Sequence, residues 1–465
     1  MATRTPAIQA RSSNHSYWGS YSSLATCPNA GSYAGTALAA TPLEAGDTAY
    51  VPNTGLALCI NAGTIGGLDA IWVTAMQLGP ANFDAFGRLR VSDPGTIFDS
   101  KLVVDAQPLY WAESLTGAAS STYLQSDARV RLATTAAGAQ TAIRQTKRYF
   151  TYQPGKSQQF FVTFNLNGGV ATTTKRVGYF DATNGLFLEL NGVAGVNLVR
   201  RSGSSVATVS VAQAAWNIDP FDGTGPSGIT LDFTKTQILI CDFEWLGVGS
   251  CRMGFNVGGA THYAHEFENS NVGAAVYMST PNLPIRYELA TSAGVVATMD
   301  CICATVMSEG GTQNQGTPYS YVRTTPTGAI ATTVETAILR IRPAAANVRV
   351  SIKPSGIGVM GTAASNIAWR LVMGGTFATA FATTVTTGYA EVSETLSVYT
   401  PNTGDVLASG LISSVQRADV TALLNSFLTI GADVAGTPDI LSLVISNISA
   451  GNETYRASMD WLALT

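Results

Sequence analysis

The chain has 465 residues, of which 46% are hydrophobic and 12% charged, with a formal net charge of −4. So large a hydrophobic fraction excludes a disordered chain, and at roughly 100–200 residues per domain the length predicts about three domains. The charge leaves no basic field to hold a phosphate backbone, so no nucleic-acid partner is expected.

Charged residues fall well below the roughly 25% of ordinary soluble domains. Thr and Val suit a pleated surface, and 46 glycines with 18 prolines supply turns. The composition therefore reads as all-β. In chain order, residues 1–15 are small and polar without periodicity and read as an extended arm, with no apolar stretch that would make a signal peptide. No apolar run reaches the roughly 18 residues of a membrane span, so no membrane insertion is expected. Residues 16–82 read as a small β module: Gly46–Asp47 turns into a strand at 48–51, and Leu56–Ile60 and Ala70–Val73 follow, separated by Gly66–Gly67. Over residues 83–101, Leu89 and Val91 alternate with Arg88, Arg90 and Ser92. This predicts a half-buried strand that Asp93-Pro94-Gly95 ends, a junction between modules.

Residues 83–310 carry the clearest pattern. The runs Arg176–Phe180, Leu186–Leu190 and Val196–Arg200 are separated by Asn184–Gly185 and Asn191–Gly192, which predicts a three-stranded antiparallel meander. Gln237–Trp245 reads as a buried strand. Cys251, Met253, Phe255 and Val257 alternate with Arg252, Gly254 and Asn256 at period two. Gly258–Gly259 turns the chain into a strand over 261–267, and Ile285–Leu289 and Val295–Met307 add more. Without a helical period between strands, the expectation is two packed antiparallel sheets. Residues 311–320 read as a polar linker, and 321–465 as a C-terminal β-sandwich with strands at Ala337–Ile341, Val348–Ile352, Ile367–Val372 and Leu441–Ile448. Val420–Leu428 is the one helix candidate, with a strand nearly as well supported. No fixed-period repeat supports a β-solenoid.

The constellations that could carry chemistry are sparse. His262 and His265 lie three apart, which on a regular strand puts them on opposite faces and argues against a metal pair. Gly155-Lys156-Ser157 lacks the upstream glycine of a phosphate loop, since Phe150 stands there. Asp219, Asp222, Asn217 and Thr224 could offer oxygens to calcium, although a turn whose Asp side chains satisfy nearby amides is the plainer reading. Trp216 and Phe221 beside them read as a sugar platform or as core. Among Glu113, Asp242, Glu244 and Glu266, only Asp242 and Glu244 share a strand face, the one carboxylate pair that sequence can place together. The basic groups Arg144–Lys147–Arg148 and Arg200–Arg201 read as solvated faces. Cys27, Cys59, Cys241, Cys251, Cys301 and Cys303 read as buried reduced thiols, with Cys301 and Cys303 on one strand face. No catalytic, cofactor-binding or metal site is assigned, and no enzymatic activity or cofactor is expected.

The segment FDAFGRLRVSDPGTIFDSK (residues 83–101) resembles a block of tailed-bacteriophage virion structural proteins. WNIDPFDGTGPSGITLDFTKTQILICDFEWLGVGSCRMGF (216–255) and VYMSTPNLPIRYE (276–288) are similar to blocks that follow it there. EAGDTAYV (44–51) and GTPDILSLVISNIS (436–449) are similar to shorter stretches of phage fibre and particle proteins. The resemblance implies a concanavalin-like or laminin-G-like jelly roll without implying an activity. It implies a virion component assembled in the host cytoplasm: a peripheral tail-associated or fibre-like protein, or alternatively a head decoration protein or a host-glycan-binding module. The partners it implies are other copies of the chain, by analogy a homotrimer, and other tail or capsid proteins. Few charges suit subunit contacts, whose centres are depleted in Lys and Glu.

Overall fold

The computed structural model describes residues 83–88, 90, 93–311, 316–361, 366–413, 429–449 and 451–465, and elsewhere the backbone of the strands named below. The arm expected over 1–15, the candidate helix over 420–428 and residues 312–315 of the expected linker lie outside the described residues. Residues 1–91 and 92–465 form two compact units.

The first unit holds β1 (Tyr17–Ser20), β2 (Pro42–Leu43), β3 (Thr48–Val51), β4 (Gly55–Asn61), β5 (Gly63–Thr64) and β6 (Ile71–Met76). One sheet has the order β1-β3-β4-β6, and β2 pairs with β5. The three strands expected here are β3, β4 and β6. Leu89, Val91 and Ser92 of the strand expected here lie outside the described residues, and Arg88 and Arg90 are in no strand. Asp84 Oδ1 accepts the amides of Phe86 and Arg88 at 3.0 and 2.8 Å, and Oδ2 pairs with the Arg88 guanidinium at 2.7 Å. A carboxylate that gathers two nearby amides closes a turn.

The second unit opens with β7 (Gly95–Lys101), β8 (Trp111–Thr116), β9 (Ser120–Leu124), β10 (Arg129–Thr134), β11 (Gln140–Thr146), β12 (Gln158–Asn165), β13 (Thr173–Phe180) and β14 (Gly185–Asn191). It continues with β15 (Val196–Arg201), β16 (Val209–Ala212), β17 (Gln237–Phe243), β18 (Cys251–Val257), β19 (Ala260–Phe267), β20 (Ile285–Thr291) and β21 (Ala297–Ser308). These form an antiparallel jelly-roll sandwich. One sheet has the order β19-β18-β17-β12-β21-β10-β9, with β7 also on β21, and the other has the order β16-β15-β14-β13-β20-β11-β8. Alternate residues of each strand point inward, so Phe160, Val162 and Phe164 from β12 meet Val177 and Tyr179 from β13 in one core. Each large side chain buried there contributes about 1.5–3 kcal/mol. Met253 and Phe255 face that core, as their period-two pattern requires.

The expected meander is β13-β14-β15, but its connections are four-residue loops. Asp181 Oδ1 accepts the amides of Thr183 and Asn184, at 2.7 and 2.8 Å. Asn184 Oδ1 in turn accepts the amides of Gly203 and Ser279, at 2.8 and 2.9 Å, and so ties three loops together.

The rest of the unit comprises β22 (Thr317–Arg323), β23 (Thr336–Pro343), β24 (Ser351–Gly361), β25 (Asn366–Met373), β26 (Val385–Thr387), β27 (Ala390–Ser393), β28 (Ser397–Val398), β29 (Asp405–Ser413), β30 (Val415–Asp419), β31 (Leu441–Asn447) and β32 (Tyr455–Leu464). The sheets have the orders β22-β32-β24-β30 and β26-β27-β23-β31-β25-β29, with β28 on β23. Their shared core contains Ile338, Leu371, Leu443, Met459 and Trp461. Tyr110 packs against both this core and the jelly-roll core. Two ion pairs cross the seam, Lys147 to Asp439 at 3.1 Å and Arg349 to Asp181 at 2.8 Å.

Two of the β-bulges in the jelly roll reset the strand alternation at residues singled out above. In β21, Cys301 stands opposite Phe164 and Ala304 opposite Val162, so three residue steps match two. In β19, Tyr263 stands opposite Gly254 and His265 opposite Met253, leaving Ala264 as the extra residue. Beyond a bulge, inward and outward positions exchange.

Candidate functional site

The structure places most of the residues singled out by sequence, and most of those serve the fold. Asp219 is buried, its Oδ1 accepting the Phe221 amide at 2.9 Å and its Oδ2 the Ser227 amide at 2.8 Å. Asp222 accepts both the amide and the hydroxyl of Thr224, at 2.9 and 2.6 Å, which draws its carboxyl below the usual range. These carboxylates organise a turn. Trp216 and Phe221 lie in the core against Phe255, with ring centroids 6.1 and 5.4 Å from it, so they form no sugar platform.

Asp242 and Glu244 do not act as a pair. Asp242 is fully buried and meets Arg252 at 2.6 Å, while the Ser157 hydroxyl donates to it. Glu244 Oε1 accepts the Ser250 amide at 3.2 Å and holds the β17–β18 loop. Glu113 pairs with Arg144 at 2.5 Å and accepts the Ser121 hydroxyl at 2.7 Å. The amide of Glu266 is held by Asn217 Oδ1 at 2.9 Å. In the GKS segment, Lys156 donates to the Gly311 carbonyl at 2.7 Å and Ser157 is buried.

Two expectations about strand faces are overturned, and the bulges are the reason. The β19 bulge sets His262 opposite Phe255 and His265 opposite Met253, two inward positions of β18, so both histidines belong to the same side of the sheet. His265 Nδ1 accepts the Asn217 amide at 3.1 Å, and burial lowers its pKa. Among the described residues, no three His, Cys, Asp or Glu side chains converge on a metal position. The β21 bulge separates Cys301, buried in the core, from Cys303, which is exposed on the outer face. Cys241 and Cys251 are buried thiols as expected. Cys27 lies outside the described residues, and of Cys59 only the backbone in β4 is described.

The basic groups are not solvated faces either. Arg144 is buried with its guanidinium 4.8 Å from the Trp111 ring centroid. Arg148 donates to the Ile97 carbonyl at 3.1 Å, and burial pushes it down to about 10. Arg200 donates to Asn269 and to the Ala207 carbonyl, and Arg201 lies 4.6 Å over Phe187. In a chain so poor in charge, the few cations are anchors for carbonyls and carboxylates that burial would otherwise leave unmatched.

Sequence reasoning missed the outer faces of the two sheets. On the seven-stranded sheet, Arg176 of β13 stands between Glu189 of β14 and Glu288 of β20, at 2.7 and 2.5 Å, and Arg286 joins Glu288 at 2.5 Å. Beside them the Phe180 and Phe187 rings pack at a tilt, centroids 4.5 Å apart. On the eight-stranded sheet, Asp300 is fully buried between Arg129, at 2.9 Å, and Arg131, at 2.7 Å.

The same face carries an open groove of about 440 Å³. Strand pairing aligns Gly254, Ile240, Phe161, Thr305 and Asp99 in one row across β18, β17, β12, β21 and β7. In the adjacent row Ile238 faces Thr163 and Cys303 faces Lys101, with Asn256 beyond Ile238. The residues come from positions 99 to 305 of the chain, so only the pairing of distant strands brings them together.

No family model matches the chain, and no curated protein matches it. Solved structures do. A putative beta-glucanase from Mycobacterium abscessus aligns over 46% of this chain and 100% of its own, with 9% identity and a TM-score of 0.34. The carbohydrate recognition domain of Emp46p aligns over 47% of this chain and 97% of its own, with 8% identity and a TM-score of 0.29. A beta-1,3-glucanase from Mycobacterium marinum covers 45% of this chain and 98% of its own, with 9% identity and a TM-score of 0.31. At such values no residue role passes from them to this chain.

Proposed function

We propose that this chain is a non-catalytic structural protein of a tailed-phage virion, a peripheral tail-associated or fibre-like component that assembles as a homo-oligomer. The observation that carries the non-catalytic part is the fate of five acids on the sheet faces. Asp242, Asp300, Glu113, Glu189 and Glu288 each sit against a guanidinium at 2.5–2.9 Å. A hydrolase of glycosides needs one carboxyl that keeps a proton and a second that attacks or activates water. Carboxylates engaged by arginines in this way serve as ties within and between strands. The virion part rests on the sequence blocks at 83–101, 216–255 and 276–288, which span the jelly roll, and on a surface poor in charge, suited to close subunit contacts.

The test is to purify particles, identify their proteins by mass spectrometry and locate this chain with labelled antibody in electron micrographs. Tail labelling at a fixed copy number supports the proposal. Labelling spread over the head would move the protein to a decoration role, and absence from particles whose other structural proteins are stoichiometric would sink the virion reading. Light scattering of the purified chain tests the expected trimer.

A further inference from the structure

We propose that the groove on the outer face of the eight-stranded sheet binds a neutral oligosaccharide several units long. This goes beyond the virion reading and does not depend on it. The groove runs across five strands, which at about 4.8 Å per strand span roughly 19 Å, more than one sugar ring occupies. Its middle is apolar: half-buried Phe161, with Ile238 beside it, lines the groove and supplies the kind of aromatic surface on which the C–H face of a pyranose packs. Hydrogen-bonding groups flank that surface: the Thr163 hydroxyl and the side chain of Asn256, whose Nδ2 donates to the Thr261 hydroxyl at 3.3 Å and whose oxygen is an acceptor. At one end Asp99 and Lys101 carry opposite charges two residues apart on β7. Their net field is close to zero, which gives no preference to phosphates or polyanions, yet each forms strong hydrogen bonds to hydroxyls. The groove is built on strands rather than loops, so it is formed before ligand arrives. Its openness keeps water at the rim and predicts weak binding per site, micromolar to millimolar, which an oligomer would raise by avidity.

The test uses the full chain on an array of neutral tri- to hexasaccharides, with the affinity of any hit measured by calorimetry. Phe161→Ala is expected to weaken that hit by about tenfold or more, and Phe161→Tyr, which keeps the ring, by about threefold or less. Lys101→Ala, at an exposed position, should weaken it several-fold without touching the core. A second readout needs no variant: the hit should slow alkylation of Cys303, followed by peptide mass spectrometry, because that thiol lines the groove. The proposal is overturned if no neutral oligosaccharide binds at millimolar concentration or if only anionic glycans bind. It is equally overturned if a hit keeps its affinity in a folded Phe161→Ala chain and leaves Cys303 as reactive as before. A chain absent from particles would sink the virion reading and leave these measurements standing.

Discussion

Asp242 separates a structural from a catalytic reading of the sheet face. Its carboxylate is fully buried, the partner Arg252 side chain is 10% exposed, and the two meet at 2.6 Å. Asp242→Ala removes one member of a buried pair and leaves a desolvated guanidinium, which costs about 3–5 kcal/mol. It also takes an acceptor from the buried Ser157 hydroxyl, about 1 kcal/mol more. A loss of that size lowers Tm by on the order of 10 °C in a unit this large. Glu244→Ala should cost less, about 1 kcal/mol for the loop hydrogen bond it takes from the Ser250 amide. The double replacement Asp242→Leu with Arg252→Leu should recover most of the loss, since an apolar pair leaves no charge behind. Differential scanning calorimetry of the four chains gives the comparison. An Asp242→Ala chain melting within about 2 °C of the parent would refute the reasoning. So would a normally folded variant that had lost turnover of a polysaccharide.

Four further outcomes can be checked. Gly431→Ala should weaken the seam within residues 92–465, because the new Cβ would strike the Lys147 carbonyl; calorimetry should show a lower-melting transition than in the parent. Lys175 is buried, donates to the Leu166 and Gly168 carbonyls, and is pushed by burial down to about 8 against an ordinary 10.5. Between those values the unfolded chain binds more protons, so this lysine's contribution to stability rises with pH across about 8 to 10.5; denaturation series of the parent and of Lys175→Met should diverge in that window and run parallel below it. Trp216→Ala should cost about 3–5 kcal/mol as a core truncation and leave any oligosaccharide affinity unchanged, which denaturation and calorimetry together test. Under native conditions an alkylating reagent should modify Cys303 and reach Cys241, Cys251 and Cys301 only on unfolding, as peptide mapping would show.

What the sequence determined by itself was local. β-branched residues, turn residues and the period-two run from Cys251 to Val257 define strands by which side of a pleat each side chain takes, and β13, β14, β15 and β18 form where that pattern lies. The tertiary structure decided what depends on a partner strand. A bulge is one residue too many relative to a neighbour distant in the chain, so nothing near Cys303 or His265 announces it. Yet each bulge reverses the side on which the following residues fall, parting Cys301 from Cys303 and uniting His262 with His265. Burial of the arginines is of the same kind: Arg144, Arg148 and Arg200 look like surface charge in a linear string, and only the packed sheets show which carbonyl or carboxylate each must satisfy. The groove follows for the same reason, because Asp99, Phe161, Asn256 and Cys303 become neighbours through strand register alone.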